Sequence, residues 1–177
     1  MNNQPESFEP EVFTLDQIVQ SVLDFENLVR EKQQSPVYGS SITTAGNAAL
    51  EMLDTFKRSV PHDTMRDHRI EWRKAVALGD MLRKVLRAKD HPRFDQLWPH
   101  ILLLLGNANI ALNVWNPKED QDANKIFELY MALVLAPICP DLEPEDPEHN
   151  AGGKNPDVIT PLDGSRWAFA CKVMHTD

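Results

Sequence analysis

The chain has 177 residues, 42% hydrophobic and 25% charged, with a formal net charge of -9. Those proportions are globular and exclude a collagen-like repeat or a wholly disordered chain. The length is sufficient for a core without disulfide or metal staples, and no apolar run, Ile101 to Leu105 included, comes near the roughly 20 residues that span a bilayer.

The N-terminal stretch MNNQPESFEPEVF has neither a basic region nor an apolar one, so it does not read as a secretory signal. A soluble, intracellular protein of the cytoplasm or nucleus is expected. In such a compartment Cys139 and Cys171 default to free thiols. No Cys or His pair has zinc-ligand spacing, and no metal or cofactor is expected.

The first strong element begins at Thr14. Thr14 and Gln17 form the two halves of a capping box, and Phe13 and Ile18 a hydrophobic staple. Leu15, Ile18, Val22, Phe25 and Val29 then recur at steps of three and four, which lays one apolar stripe along a helix. Pro36 and Gly39 end it. A second helix is expected from about Ala45, with Ala49, Met52, Leu53, Phe56 and Val60 inward, and Pro61 stops it.

The spacing predicts a third helix from about Asp63 to Lys89. Ala75, Leu78, Leu82, Val85 and Leu86 gather on one side of it, while Arg66, Arg69, Arg73, Lys84 and Arg87 gather on the other. A fourth, nearly all-apolar helix is expected over 99–114 after a short helical turn, with Pro99 in its first turn. An element apolar all round belongs at the centre of a bundle. A fifth opens at Asn116-Pro117, with Ile126, Phe127, Tyr130, Leu133 and Val134 inward.

Residues 138–157 are rich in proline and acidic side chains and include Gly152-Gly153. They read as an extended linker. Beyond it Trp167, Phe169, Cys171 and Val173 alternate with smaller residues and Lys172, which is strand period. Asp163-Gly164 is a hairpin turn signal. Val158 to Leu162 is the partner strand, and Pro161 would confine it to an edge. A short helix competes for this last segment. The expected fold is therefore mainly α, an irregular bundle of about five helices. A helical domain covers 1–137, the linker 138–157 and a C-terminal extended or β element 158–177.

Charge is distributed unevenly. Residues 57–93 hold 11 of the 18 basic side chains against 5 acids, and both flanks are acidic. The basic residues form either a solvated face or a docking face for an anionic partner. Nucleic acid is the weaker choice of partner, because a net charge of -9 opposes phosphate at long range.

No motif assigns a reaction. His62-Asp63 matches two letters of the metal-binding signature of HD-type phosphohydrolases, but no His precedes it. A helix-start turn explains it better. Asp120-x-Asp122-x-Asn124 resembles the opening of a calcium loop, yet Lys125 stands where Gly is needed and Met131 where Glu is needed. Acidic residues at a helix start account for it.

Asn107, Asn109 and Asn113 interrupt the most apolar helix. Buried amides must be satisfied, so these three with His100 are the candidates for a small-ligand pocket. The leading expectation is a non-catalytic protein–protein interaction domain, an adaptor, regulatory subunit or self-associating protein. It would use Arg66, Arg69, Arg73, Lys84 and Arg87, or the tail through Trp167 and Phe169. An enzyme or ligand binder built on the asparagine helix is the alternative, and a nucleic-acid-associated factor a second. No catalytic residue is nominated.

Overall fold

The computed structural model describes residues 14–33, 69–106, 121–145 and 156–171, with the side chains of 69–72 and 121–123 excepted. It is mainly helical, with a small antiparallel sheet. The elements in chain order are α1 (Leu15–Gln33), α2 (Arg69–Arg87), α3 (Phe94–Gly106), α4 (Gln121–Leu135), β1 (Glu143–Pro144), β2 (Val158–Leu162) and β3 (Ser165–Phe169). The described residues thus hold four helices, where about five were expected over the whole chain. The expected second helix, the Phe13 staple, His62-Asp63 and the stretch 107–114 lie outside the described residues.

α1 starts where its cap places it. Thr14 N donates to Gln17 Oε1 at 3.0 Å, and Gln17 N donates back to Thr14 Oγ1 at 3.2 Å. The apolar stripe Leu15, Ile18, Val22, Phe25 and Val29 is buried throughout. It packs against Ala75, Leu78, Met81, Leu82 and Val85 of α2. Leu86 is only partly buried, whereas Met81, outside the expected stripe, is fully buried.

The two helices run in the same direction. Leu15, Ile18 and Ala75 share one cluster in the N-terminal halves of both, and Lys32 near the end of α1 pairs with Asp95 in the first turn of α3, which follows α2. The approach is close at Gly79. A Cβ added there would sit 2.8 Å from Ile18 Cγ1, so glycine is what allows the two backbones to come together.

α3 corrects an expected boundary. The chain turns at Ala88–Arg93, and α3 begins at Phe94, which places Pro99 inside the helix. At the sixth position of the helix Pro99 has no N–H for the Asp95 carbonyl and its ring crowds that carbonyl, the cost an interior proline carries. His91 secures the turn. Its Nδ1 accepts from Arg93 N at 3.1 Å, so its Nε2 carries the proton and donates to Cys139 O at 3.0 Å.

That bond ties the start of α3 to the end of α4, and the two helices pack antiparallel. On α4, Ile126, Leu129, Ala132 and Leu133 are buried. Val134, expected inward, is 43% exposed. It is one residue past Leu133, about 100° round the helix, and falls off the core stripe.

The acidic, proline-rich stretch is anchored at its start. Cys139 and Leu142 are buried in the main core, and Glu143–Pro144 pairs with Ile159 and Val158. The sheet order is β1-β2-β3, with antiparallel neighbours throughout. β2 and β3 form the expected hairpin around Asp163 (φ 49°) and Gly164 (φ 72°). Two successive positive φ values define a primed turn, which matches strand twist.

β2 is nevertheless central, contrary to the edge position inferred from Pro161. The reason is the length of β1. It covers only Val158 and Ile159, so Pro161 has no strand beside it on that side among the described residues. Val158 and Thr160 face the helices and are fully buried.

Candidate functional site

Two features of the C-terminal half stand out, an enclosed polar cluster and an open strand edge. The cluster forms where α3, α4 and the sheet meet. His100 of α3 and Glu128 of α4 are both buried, with His100 Nε2 3.3 Å from Glu128 Oε2. Lys125, one turn earlier on α4, donates to the same oxygen at 2.8 Å and lies 3.7 Å from Glu145, just after β1. Asp157, just before β2, accepts from the backbone N–H of Cys171 beyond β3 at 2.5 Å.

The backbone adds two further bonds. Glu145 N donates to Asp157 O, and Asp157 N donates to Phe169 O, both at 2.9 Å. Asp157 therefore joins both strands flanking β2 at the open end of the hairpin. α3 contributes one side chain, α4 two, and the residues just outside the strands the rest.

The electrostatics follow from that crowding. Burial pushes the Glu128 carboxyl up, but the hydrogen bonds from His100 and Lys125 and their charges outweigh it, so Glu128 is held below its ordinary 4.5. Asp157 moves the other way. Burial and the neighbouring Glu128 and Glu145 charges raise it above its ordinary 3.8, against the Cys171 N–H and Lys125. Burial, Asp157 and Glu128 push the Cys171 thiol up to about 11. A thiol held there is protonated at neutral pH and is a poor nucleophile.

His100 Nδ1 and Thr160 Oγ1 are buried without a hydrogen-bond partner. The His100 ring is enclosed, with one nitrogen on Glu128 and the other without exposed surface. As arranged, the cluster binds the sheet to the helices. Among the described residues no group of three or more His, Cys, Asp or Glu side chains is placed to hold a metal ion.

The second feature is β3. From Ser165 to Ala168 every residue is exposed, and no strand lies on its outer side among the described residues. Trp167 stands opposite Thr160 in the register. Opposed residues share a face, so Trp167 lies on the side of the sheet that carries the helices. It is still 55% exposed, an aromatic that overhangs the edge of the helical layer. Phe169, two residues on, is partly buried and packs on the main core. Arg166 reaches across β2 to Glu143, Nη2 to Oε2 2.7 Å.

The residues nominated from sequence are dispersed. Arg66, Asn107, Asn109 and Asn113 and the side chain of Arg69 lie outside the described residues. Arg73 and Arg87 are exposed on α2. Lys84 is partly buried, bridged to Asp80 and placed over the Tyr130 ring at 5.1 Å. It joins α2 to α4. His100 is in the polar cluster, and Trp167 and Phe169 are on β3.

Lys125, Glu128, Glu145 and Asp157 are missed by sequence reasoning. One signal was available for Glu128. It stands four residues before Ala132 and eight before Ala136, both buried, so it occupies a core position of its helix. Asp122 and Asn124, read as a truncated calcium loop, belong to the first turn of α4.

No family model matches this sequence, and neither a curated protein nor a solved structure matches the chain. Among the described residues no helix is long and apolar enough to cross a membrane.

Proposed function

We propose that the chain is a non-catalytic interaction module that docks a protein strand on the outer edge of its C-terminal hairpin. The observation that carries this reading is the combination at β3. The strand is held to the helical body through a buried polar cluster, yet no strand among the described residues covers its outer edge, and Trp167 is 55% exposed. Natural sheets blunt such edges with lysine, proline or a bulge. β3 reads Ser-Arg-Trp-Ala-Phe; its one charged side chain, Arg166, is bridged to Glu143, it has no proline, and its pairing with β2 runs without a bulge. An extended segment added there would gain main-chain hydrogen bonds and a large aromatic surface.

Two features count against the other docking and binding readings. Lys84, a member of the basic face, is engaged within the molecule. His100 is enclosed.

A library of extended peptides displayed on phage and selected against the full chain tests the proposal. Strand-forming sequences should be enriched. Trp167→Glu should weaken their binding at least about tenfold, and Arg69→Glu with Arg73→Glu should leave it unchanged. Selection of no strand-forming binder overturns the reading. Binding that survives Trp167→Glu but is lost in the double arginine variant transfers docking to α2.

A further inference from the structure

Resting on the edge-docking reading, we infer that the occupant of the β3 edge is a second copy of this chain, paired antiparallel about a two-fold axis at Trp167. The inference comes from what the edge can accept. Across Ser165–Phe169 the only charge is Arg166, and that guanidinium is already bridged to Glu143 of the same chain. An acidic partner finds no uncommitted cation on the strand, and a basic partner finds no anion. The edge fits a segment that is near-neutral and able to match an overhanging aromatic. β3 itself has those properties.

The register makes the match self-consistent. With Trp167 on the axis, each Trp167 faces its counterpart, Arg166 faces Ala168, and Ser165 faces Phe169. No like charges are opposed, which is the arrangement that antiparallel pairing needs. Both indoles lie on the face that carries the helices, where each is now 55% exposed, and would cover one another. The result is one continuous sheet in the order β1-β2-β3-β3-β2-β1, with an isologous interface. Two chains of net charge -9 repel at long range, so added salt should tighten this association, because screening removes repulsion without touching the edge.

Light scattering of the full chain over a concentration series tests the inference, together with two variants. The wild type should pass from monomer to dimer as concentration rises, at lower concentration in 300 mM than in 20 mM salt. Trp167→Glu should be monomeric throughout, with the melting temperature that the wild type has at concentrations where it is monomeric. Trp167→Cys under mild oxidation should give a disulfide-linked dimer, because residues on the axis bring their own copies within disulfide reach. Ser165→Cys, off the axis, should not. A wild type that stays monomeric at every concentration overturns the second copy as occupant. So does a dimer that persists in Trp167→Glu while Trp167→Cys fails to cross-link. Peptides selected on the β3 edge of a monomeric protein would leave the docking reading intact and sink this one alone.

Discussion

The molecule is held together by two seams of opposite character. Between α1 and α2 the core clusters of described side chains are apolar, with Ile18, Phe25, Leu78, Met81 and Leu82 all fully buried. At Gly79 the missing side chain leaves room for Ile18. Between α3, α4 and the sheet, the apolar core is interrupted by His100, Lys125, Glu128, Glu145 and Asp157. The first seam draws on hydrophobic burial and close packing, which specify little beyond shape. The second needs each polar group in its place, because an unsatisfied buried group costs more than a satisfied one contributes. A small sheet with one two-residue strand has little area with which to fix its position. The polar cluster supplies that registration, and it acts at the open end of the hairpin that carries Trp167.

The sharpest way to break the comparison is to damage each seam and follow pH. Phe25→Ala removes a fully buried ring from the apolar seam and should cost about 3–5 kcal/mol. The cost should be the same at pH 7 and pH 4 in urea titrations, since no ionisable group is touched. Glu128→Gln should cost about 1–3 kcal/mol at pH 7, and this cost should depend on pH. Glu128 is held below 4.5 in the folded chain. Its charge therefore stabilises the fold above pH 4.5, and that contribution disappears as pH falls through the folded value. The difference between wild type and Glu128→Gln should shrink accordingly below pH 4.5. Equal pH dependence in the two variants would remove the distinction between the seams. Adding the two changes tests their independence, which requires additive costs.

The apolar seam was largely legible in the sequence, and the polar one was not, for physical reasons. Leu15, Ile18, Val22, Phe25 and Val29 announce a stripe because helical geometry turns spacing into a face. Thr14 and Gln17 announce their reciprocal cap through local hydrogen bonds. Asp163-Gly164 announces the hairpin because few residues accept two positive φ values. The polar cluster has no such local logic. His100 and Glu128 are 28 positions apart, and Asp157 and Cys171 are 14 apart. Their convergence depends on how α3 and α4 pack, which no spacing encodes. Pro161 misled for a related reason. The rule that confines proline to an edge is obeyed locally, and only the shortness of β1 makes the strand central by order.

A smaller effect probes the close approach inside the apolar seam. Gly79→Ala adds a methyl group 2.8 Å from Ile18 Cγ1. Overpacking of this kind costs about 1–3 kcal/mol, against about 1 kcal/mol gained from alanine's better helix propensity. A net loss of about 1 kcal/mol is expected in thermal melts. Pairing it with Ile18→Val, which trims the opposing side chain, should recover part of that loss. No recovery would mean that the strain lies elsewhere than at Ile18.

The smallest expected change is also the most diagnostic, because its sign is reversed. Asp157 is raised above 3.8 by burial and by Glu128 and Glu145, so its carboxylate costs the fold stability at neutral pH, and the cost fades as pH falls toward 3.8. Asp157→Asn removes the charge while keeping an oxygen that can accept the Cys171 N–H. At pH 7 it should be neutral to stabilising by no more than about 1 kcal/mol, with the gain gone near pH 4. Glu128→Gln loses stability at pH 7 and Asp157→Asn does not, although both neutralise a carboxylate in one cluster. The difference arises because Lys125 and His100 are hydrogen-bonded to Glu128, whereas Asp157 is raised first by burial and then by the Glu128 and Glu145 charges. Loss of stability in Asp157→Asn at pH 7 would show that its hydrogen bond to Cys171 outweighs that repulsion, and would make the carboxylate itself part of the hairpin's anchor.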